Sequence, residues 1–296
     1  MRSRRARKKN SGSENLSPNR IAFRKFRKNK LAMFGLIVIV VLIVVSIAAP
    51  VLTPYDRDKI DMYSMEAPPS SEHLLGTDEI GRDVLTRLLY GGRVSLAVGI
   101  LASLAEIVIG VVLGAVAGFY GGKVDAVIMR ITDVIMCFPF FVVAIVLAAI
   151  VGPSMVNLIF IIAILEWTKI ARIVRAEVLS LKERDFITAS RSMGLNEFEI
   201  ILRHILPNTF ASIMVFATLA IANGILTEAA LSFLGMGVRP PQPSWGNMLA
   251  AAQSMRVLQY EWWLWIPTHS FMTFFCYRSM KSRLCGCCSV HFYFNP

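Results

Sequence analysis

An almost uninterrupted apolar run from Leu31 to Leu52 constrains this chain more than any other feature. It supplies about the 20 residues that a helix needs to cross the hydrocarbon of a bilayer. A secretory signal would carry a shorter apolar region and end at a small-residue cleavage site. This run ends at Pro50 and Pro54 instead, and more apolar segments follow. They cover roughly Val94 to Phe119, Val134 to Val151, Val156 to Ala171 and Thr209 to Ala229, with a weaker one from Trp262. In lipid every backbone polar group must be satisfied within the segment, so these spans are predicted to be helices. The expected fold is an all-α membrane protein, a bundle of about six transmembrane helices. A 55% hydrophobic content with only 17% charged residues excludes an ordinary soluble domain.

The charges are clustered, and their placement sets the expected topology. The formal net charge is +11, and much of the excess lies in the tail 1–30. The positive-inside rule places that tail in the cytoplasm. Nucleic-acid binding is not expected, because the tail has few aromatics for stacking and an apolar span follows it directly. Residues 31–53 then form the first span, and 54–93 form an acid-rich extracytoplasmic loop. The turn at 120–133 returns to the cytoplasm, as does the segment 172–208 with its Arg172, Arg175, Lys182, Arg184, Arg191 and Arg203. An even number of spans puts both termini in the cytoplasm. Gly110, Gly114 and Gly118 recur at four-residue spacing, a stripe that lets helices pack closely.

No catalytic constellation, cofactor site or metal site is visible. The nearest approach to a phosphate loop is Gly121-Gly122-Lys123-Val124, with Ala117 where the first glycine belongs and no hydroxyl residue after the lysine. His73, His204, His269 and His291 are scattered, and the cysteines lack paired C-x-x-C spacing. Active transport by this chain therefore requires a motor on a separate polypeptide. One acid, Glu106, falls in the middle of the second span, where charge is costly and function is the default candidate. Glu228 stands near the outer end of the fifth span, where it is expected to face water. The segment EVLSLKERDFITASRSMGLNEFEIILRHILPN suggests two short amphipathic helices joined at Met193-Gly194-Leu195, with Pro207 where the fifth span begins. Lys182 in this segment is expected to be a solvated charge.

This loop resembles the cytoplasmic EAA loop of ABC importer permeases, E-A-A-x3-G-x9-I-x-L-P. Thr188-Ala189-Ser190, Gly194 and Leu206-Pro207 fall in that register, with Thr188, Ser190 and His204 as departures. Two longer stretches, HLLGTDEIGRDVLTRLLYGGRVSLAVG and EAALSFLGMGVRPPQPSWGNML, are similar to blocks of the dipeptide and oligopeptide permeases of the C type. The resemblance covers about residues 20 to 267, with 94–267 as the permease core. It implies an importer of dipeptides or oligopeptides, with nickel or another small solute as the alternative cargo within the same branch. The implied partners are a second homologous permease subunit, two cytoplasmic ATPase subunits, an extracytoplasmic peptide-binding protein and membrane lipid. It also implies that Thr188, Ala189, Ser190, Gly194, Leu206 and Pro207 couple the permease to its ATPase. A secondary transporter driven by an ion gradient is the more distant alternative, and it would make Glu106 central. After Pro267 the resemblance stops. Arg278, Lys281 and Arg283 cut the sixth span short, and cysteines crowd the tail 268–296. An altered reading frame is the expected cause, with a diverged tail as the alternative.

Overall fold

The computed structural model describes residues 30–254 and positions 257, 261, 263 and 264, and these residues form helices without a β-strand. Residues up to Val44 and residues from Val45 onward are separate units. The first span appears as α1 (Lys30–Ile47) followed by a single turn, α2 (Ala49–Leu52), with Pro50 in its first turn. Next come α3 (Val84–Tyr120), α4 (Gly122–Cys137), α5 (Phe140–Val151) and α6 (Met155–Lys182). Two short helices, α7 (Asp185–Ser192) and α8 (Glu197–Ile200), lead through a π-helical turn, Ile201–Ile205, into α9 (Leu206–Phe233). The helix α10 (Trp245–Ala251) follows.

By length and composition, two helices of the described residues are able to cross a membrane, or three if α4 and α5 count as one bent span. That is fewer than the six expected. In α6 the apolar run is interrupted by Glu166, Lys169 and Arg172, and the weak sixth segment lies almost wholly outside the described residues. The third span also differs from expectation. Residues 122–137, expected largely as a turn, are helical, and α4 meets α5 at an angle of 88°. Pro139 causes the break. It has no N–H to donate, and it pushes Phe138 into an extended conformation (φ −94°, ψ 141°) that no helix continues.

The helix α3 organises the rest. Its 37 residues span about 55 Å, longer than the hydrocarbon core of a bilayer. Toward its Tyr120 end the glycine stripe faces α6. A Cβ on Gly110 would stand 2.8 Å from the Ile170 Cβ, and one on Gly118 would stand 2.8 Å from that of Val178. The predicted packing role of the stripe is therefore what these glycines do. Toward the Val84 end a second set of glycines meets α9. A Cβ on Gly224 would come within 3.0 Å of the Gly99 carbonyl. Three buried apolar clusters lie along α3. One surrounds Val84, the second includes Val94, Val98 and Ala102 against α5 and α6, and the third includes Ala115 and Phe119. Leu101, Leu104, Val108 and Val112 of α3 are each about half exposed, as a lipid-facing helix surface would be.

Candidate functional site

The segment between α6 and α9 is built as the sequence suggests, by two short helices around a glycine. At the end of α7 the Gly194 N–H donates to the Arg191 carbonyl (2.9 Å), and the Leu195 N–H donates to the Ser190 carbonyl (3.3 Å). These two bonds form a Schellman motif, which requires a left-handed residue after the helix. Gly194 supplies it with φ +78°. An added Cβ there would meet no atom within 4 Å, so the demand for glycine comes from the backbone angle alone. Further on, the π-helical turn ends at Leu206, whose N–H reaches back to the Ile201 carbonyl. Pro207, in the first turn of α9, has no N–H to offer the preceding turn.

The two sides of this segment differ in chemistry. Its inner side is apolar and dry. Ile187, Ile200 and Ile205 are fully buried against Phe119 of α3 and Ile170, Val174 and Val178 of α6. Its outer side carries exposed large apolar groups, with Phe186, Met193 and Phe198 40%, 73% and 70% exposed. Of the residues singled out by register, Thr188, Ala189, Gly194 and Pro207 are exposed. Ser190 is buried, its hydroxyl donating to the Phe186 carbonyl (2.8 Å), and Leu206 is half-buried.

Lys182 differs from its expected role as a solvated charge. Its Nζ donates to the Phe119 carbonyl at 2.5 Å and lies 5.7 Å from the centre of the Phe119 ring. The last turn of α3 has carbonyls without helical partners, and a cation there satisfies one of them and complements the helix dipole. The guanidinium of Arg191 sits 5.2 Å from the same ring. Phe119 carried no signal of this in the sequence, being one apolar residue among many. Two ion pairs tie α4 to α6 nearby, Arg175 with Asp125 and Arg172 with Asp133.

Glu106 is 5% exposed, on the buried side of α3 one turn before Gly110. The charges acting on it are Glu166 and Lys169 of α6, which pair with each other at 2.5 Å. Glu228 departs from expectation: it is fully buried rather than open to water. The Ser232 hydroxyl donates to its carboxyl group at 2.7 Å, and the hydroxyls of Ser95 and Ser244 lie beside it. Each of these hydroxyls also accepts a backbone N–H, Ser95 from Trp245 (3.1 Å), Ser232 from Val238 (3.2 Å) and Ser244 from Asn247 (3.3 Å). A serine hydroxyl has one proton, so accepting from the backbone leaves that proton for the carboxyl group. The indole N–H of Trp245 donates to the Leu88 carbonyl (3.1 Å), completing a buried lock between α3, α9 and α10. At the head of α3, Asp83 accepts from the Thr86 N–H (2.7 Å) as N-cap and meets His73 Nδ1 at 3.0 Å. Both long sequence blocks thus have a structural use at the Val84 end of α3.

Comparison with known proteins places these features. Residues 110–277 match the model described as binding-protein-dependent transport system inner membrane component. That match runs ten residues beyond Pro267, the expected end of the resemblance. Residues 17–69 match the N-terminal TM domain of oligopeptide transport permease C. The dipeptide transport system permease protein DppC of Alkalihalophilus pseudofirmus is 42% identical over 87% of this chain and 84% of its own length. The oligopeptide permease protein OppC of Bacillus subtilis is 39% identical, over 83% of this chain and 80% of its own. The glutathione permease protein GsiD of Pectobacterium atrosepticum is 42% identical, over 82% and 81%. A solved chain of the methionine ABC transporter MetNI overlaps 67% of this chain and 95% of its own, at a TM-score of 0.47 and 17% identity. Family models at both ends of the described helices, and relatives matched over most of their length, make this chain a member of the binding-protein-dependent transport family of inner-membrane permeases.

Proposed function

We propose that this chain is one of two homologous permease subunits of an ATP-driven importer for dipeptides or oligopeptides. Two cytoplasmic ATPases drive it, and an extracytoplasmic binding protein delivers the peptide. The observation that carries the proposal is the two-sided segment from α7 to α8. Phe186, Met193 and Phe198 stand exposed on a small, glycine-turned unit whose other side is sealed onto α3 and α6. Exposed apolar anchors on a rigid short helix suit insertion into a partner groove. Thr188, Ala189 and Gly194 lie on the docking side, while Ser190, Leu206 and Pro207 shape the unit. Lysine and arginine placement puts this segment, and both termini, in the cytoplasm. Peptide cargo rests on what the relatives carry by name: dipeptides, oligopeptides and glutathione, itself a short peptide. Glu106, with Glu166 and Lys169, offers polar groups of both signs at a depth where lipid-facing charge is excluded. We assign them to the translocation path. We assign an altered reading frame to the part of the tail 268–296 that lies beyond the family match, which resequencing of the gene tests directly.

The function is tested by expressing the chain with its neighbouring subunits in a strain that lacks peptide permeases. Growth on a dipeptide as sole amino-acid source, together with co-purification of two ATPase subunits, is the expected result. Nickel accumulation without peptide growth would reassign the cargo. Uptake driven by an ion gradient without ATP would overturn the importer altogether.

A further inference from the structure

The Phe119 ring is 2% exposed, yet two cations lie within 6 Å of its centre. They come from the two ends of the docking helix α7. Lys182 closes α6 three residues before α7 begins, and Arg191 lies in the last turn of α7. A cation over an aromatic face is held by the ring quadrupole, a contact that is directional where apolar packing is not. Lys182 adds a hydrogen bond to the carbonyl of the same residue. Ile187, fully buried near the middle of α7, belongs to the same cluster. The ring therefore meets cations at the approach and at the end of the docking helix, within the apolar cluster that buries Ile187.

We propose that Phe119 is a positioning residue for energy coupling: the joint through which movement of α7 passes to α3. This deepens the importer reading and rests on it. A residue that only filled space would need apolar neighbours and no ordered cations, since holding long cationic side chains costs rotamer entropy. Beyond the joint, α3 is one unbroken helix. At its far end Trp245 of α10 is bonded to it through the Ser95 hydroxyl and the Leu88 carbonyl, and α9 packs on it where Gly224 meets Gly99. A push on Phe119 thus meets no flexible link before it reaches the opposite end of the helix.

The test uses the whole complex in liposomes: this chain, the second permease, both ATPases and the binding protein. The quantity read is peptide taken up per ATP hydrolysed. Phe119→Leu keeps apolar bulk and removes the aromatic face, and should lower this ratio about tenfold, with ATPase retained and hydrolysis within about twofold of wild type. Phe119→Tyr restores the face and should recover most of the ratio. Arg191→Gln alters only an exposed side chain, so the fold is kept, and it should lower the ratio about threefold. Should Phe119→Leu fail to assemble, Arg191→Gln combined with Lys182→Met decides, because the ring stays in place. A ratio unchanged in these variants, or uptake and hydrolysis falling in proportion, overturns the joint. ATP-independent uptake by the wild-type complex refutes the importer instead, and is recognised before any variant is made.

Discussion

The two ends of α3 are anchored in opposite ways. At the Val84 end, directional bonds from Trp245 to Ser95 and Leu88 hold α10, and the buried Glu228–Ser232 pair ties the end of α9 to Val238. At the Tyr120 end, isoleucines, valines and one aromatic ring flanked by cations support a short helix whose outer side is bare. Directional bonds in a dry interior have one satisfactory arrangement, because each unmade bond costs its full desolvation. Apolar contact is non-directional and tolerates small displacement. One end is built to stay assembled and the other to be pushed.

The largest effect should come from breaking the fixed end. Glu228→Ala strands the Ser232 hydroxyl and leaves a cavity in a fully buried site, at a cost of about 3–5 kcal/mol. The thermal midpoint of the purified protein should drop by many degrees and its level in the membrane should fall. A midpoint within a degree of wild type would show that the lock contributes little. A smaller stability cost with a larger functional one is expected at the movable end. Gly194→Val meets no clash, but forces a branched residue to φ +78°, at about 1–2 kcal/mol. Peptide uptake and ATPase association should be lost while the amount of membrane-inserted protein stays near normal. Normal uptake in this variant would reduce the segment to an ordinary connector.

The smallest effect concerns a turn at neither anchor. The Asp61 carboxylate accepts from the Tyr63 N–H (3.0 Å) and the Ser64 hydroxyl (3.1 Å), which hold its pKa below the usual carboxylate range. A carboxyl group whose folded pKa is depressed contributes stability above its unfolded pKa and loses it as pH falls through the folded value. Asp61 is only half-buried and bonded within its own turn, so Asp61→Asn should leave the thermal midpoint at neutral pH almost unchanged and remove only a slight acid sensitivity. A midpoint shift as large as that of Glu228→Ala would contradict the contrast drawn between fully buried and half-buried carboxyl groups.

What the chain alone determined is what depends on neighbours in sequence. Apolar runs long enough for a bilayer mark the spans, because hydrocarbon thickness sets a length. The glycine stripe on α3 and the turn at Gly194 follow from four-residue spacing and from the conformational freedom of one residue. The two short helices on either side of Gly194 follow from the same local pattern. Tertiary structure decided the rest. Residues 134–151 read as one span through Pro139, and the 88° bend there also depends on what α4 and α5 pack against. Glu228 at the end of an apolar run looks open to water until Ser95, more than a hundred residues earlier, closes over it. Lys182 looks solvated until Phe119, more than sixty residues before, is brought beneath it. Hydrogen bonds and cation–π contacts act over a few ångströms between groups far apart in the chain, and no local periodicity encodes which groups will meet.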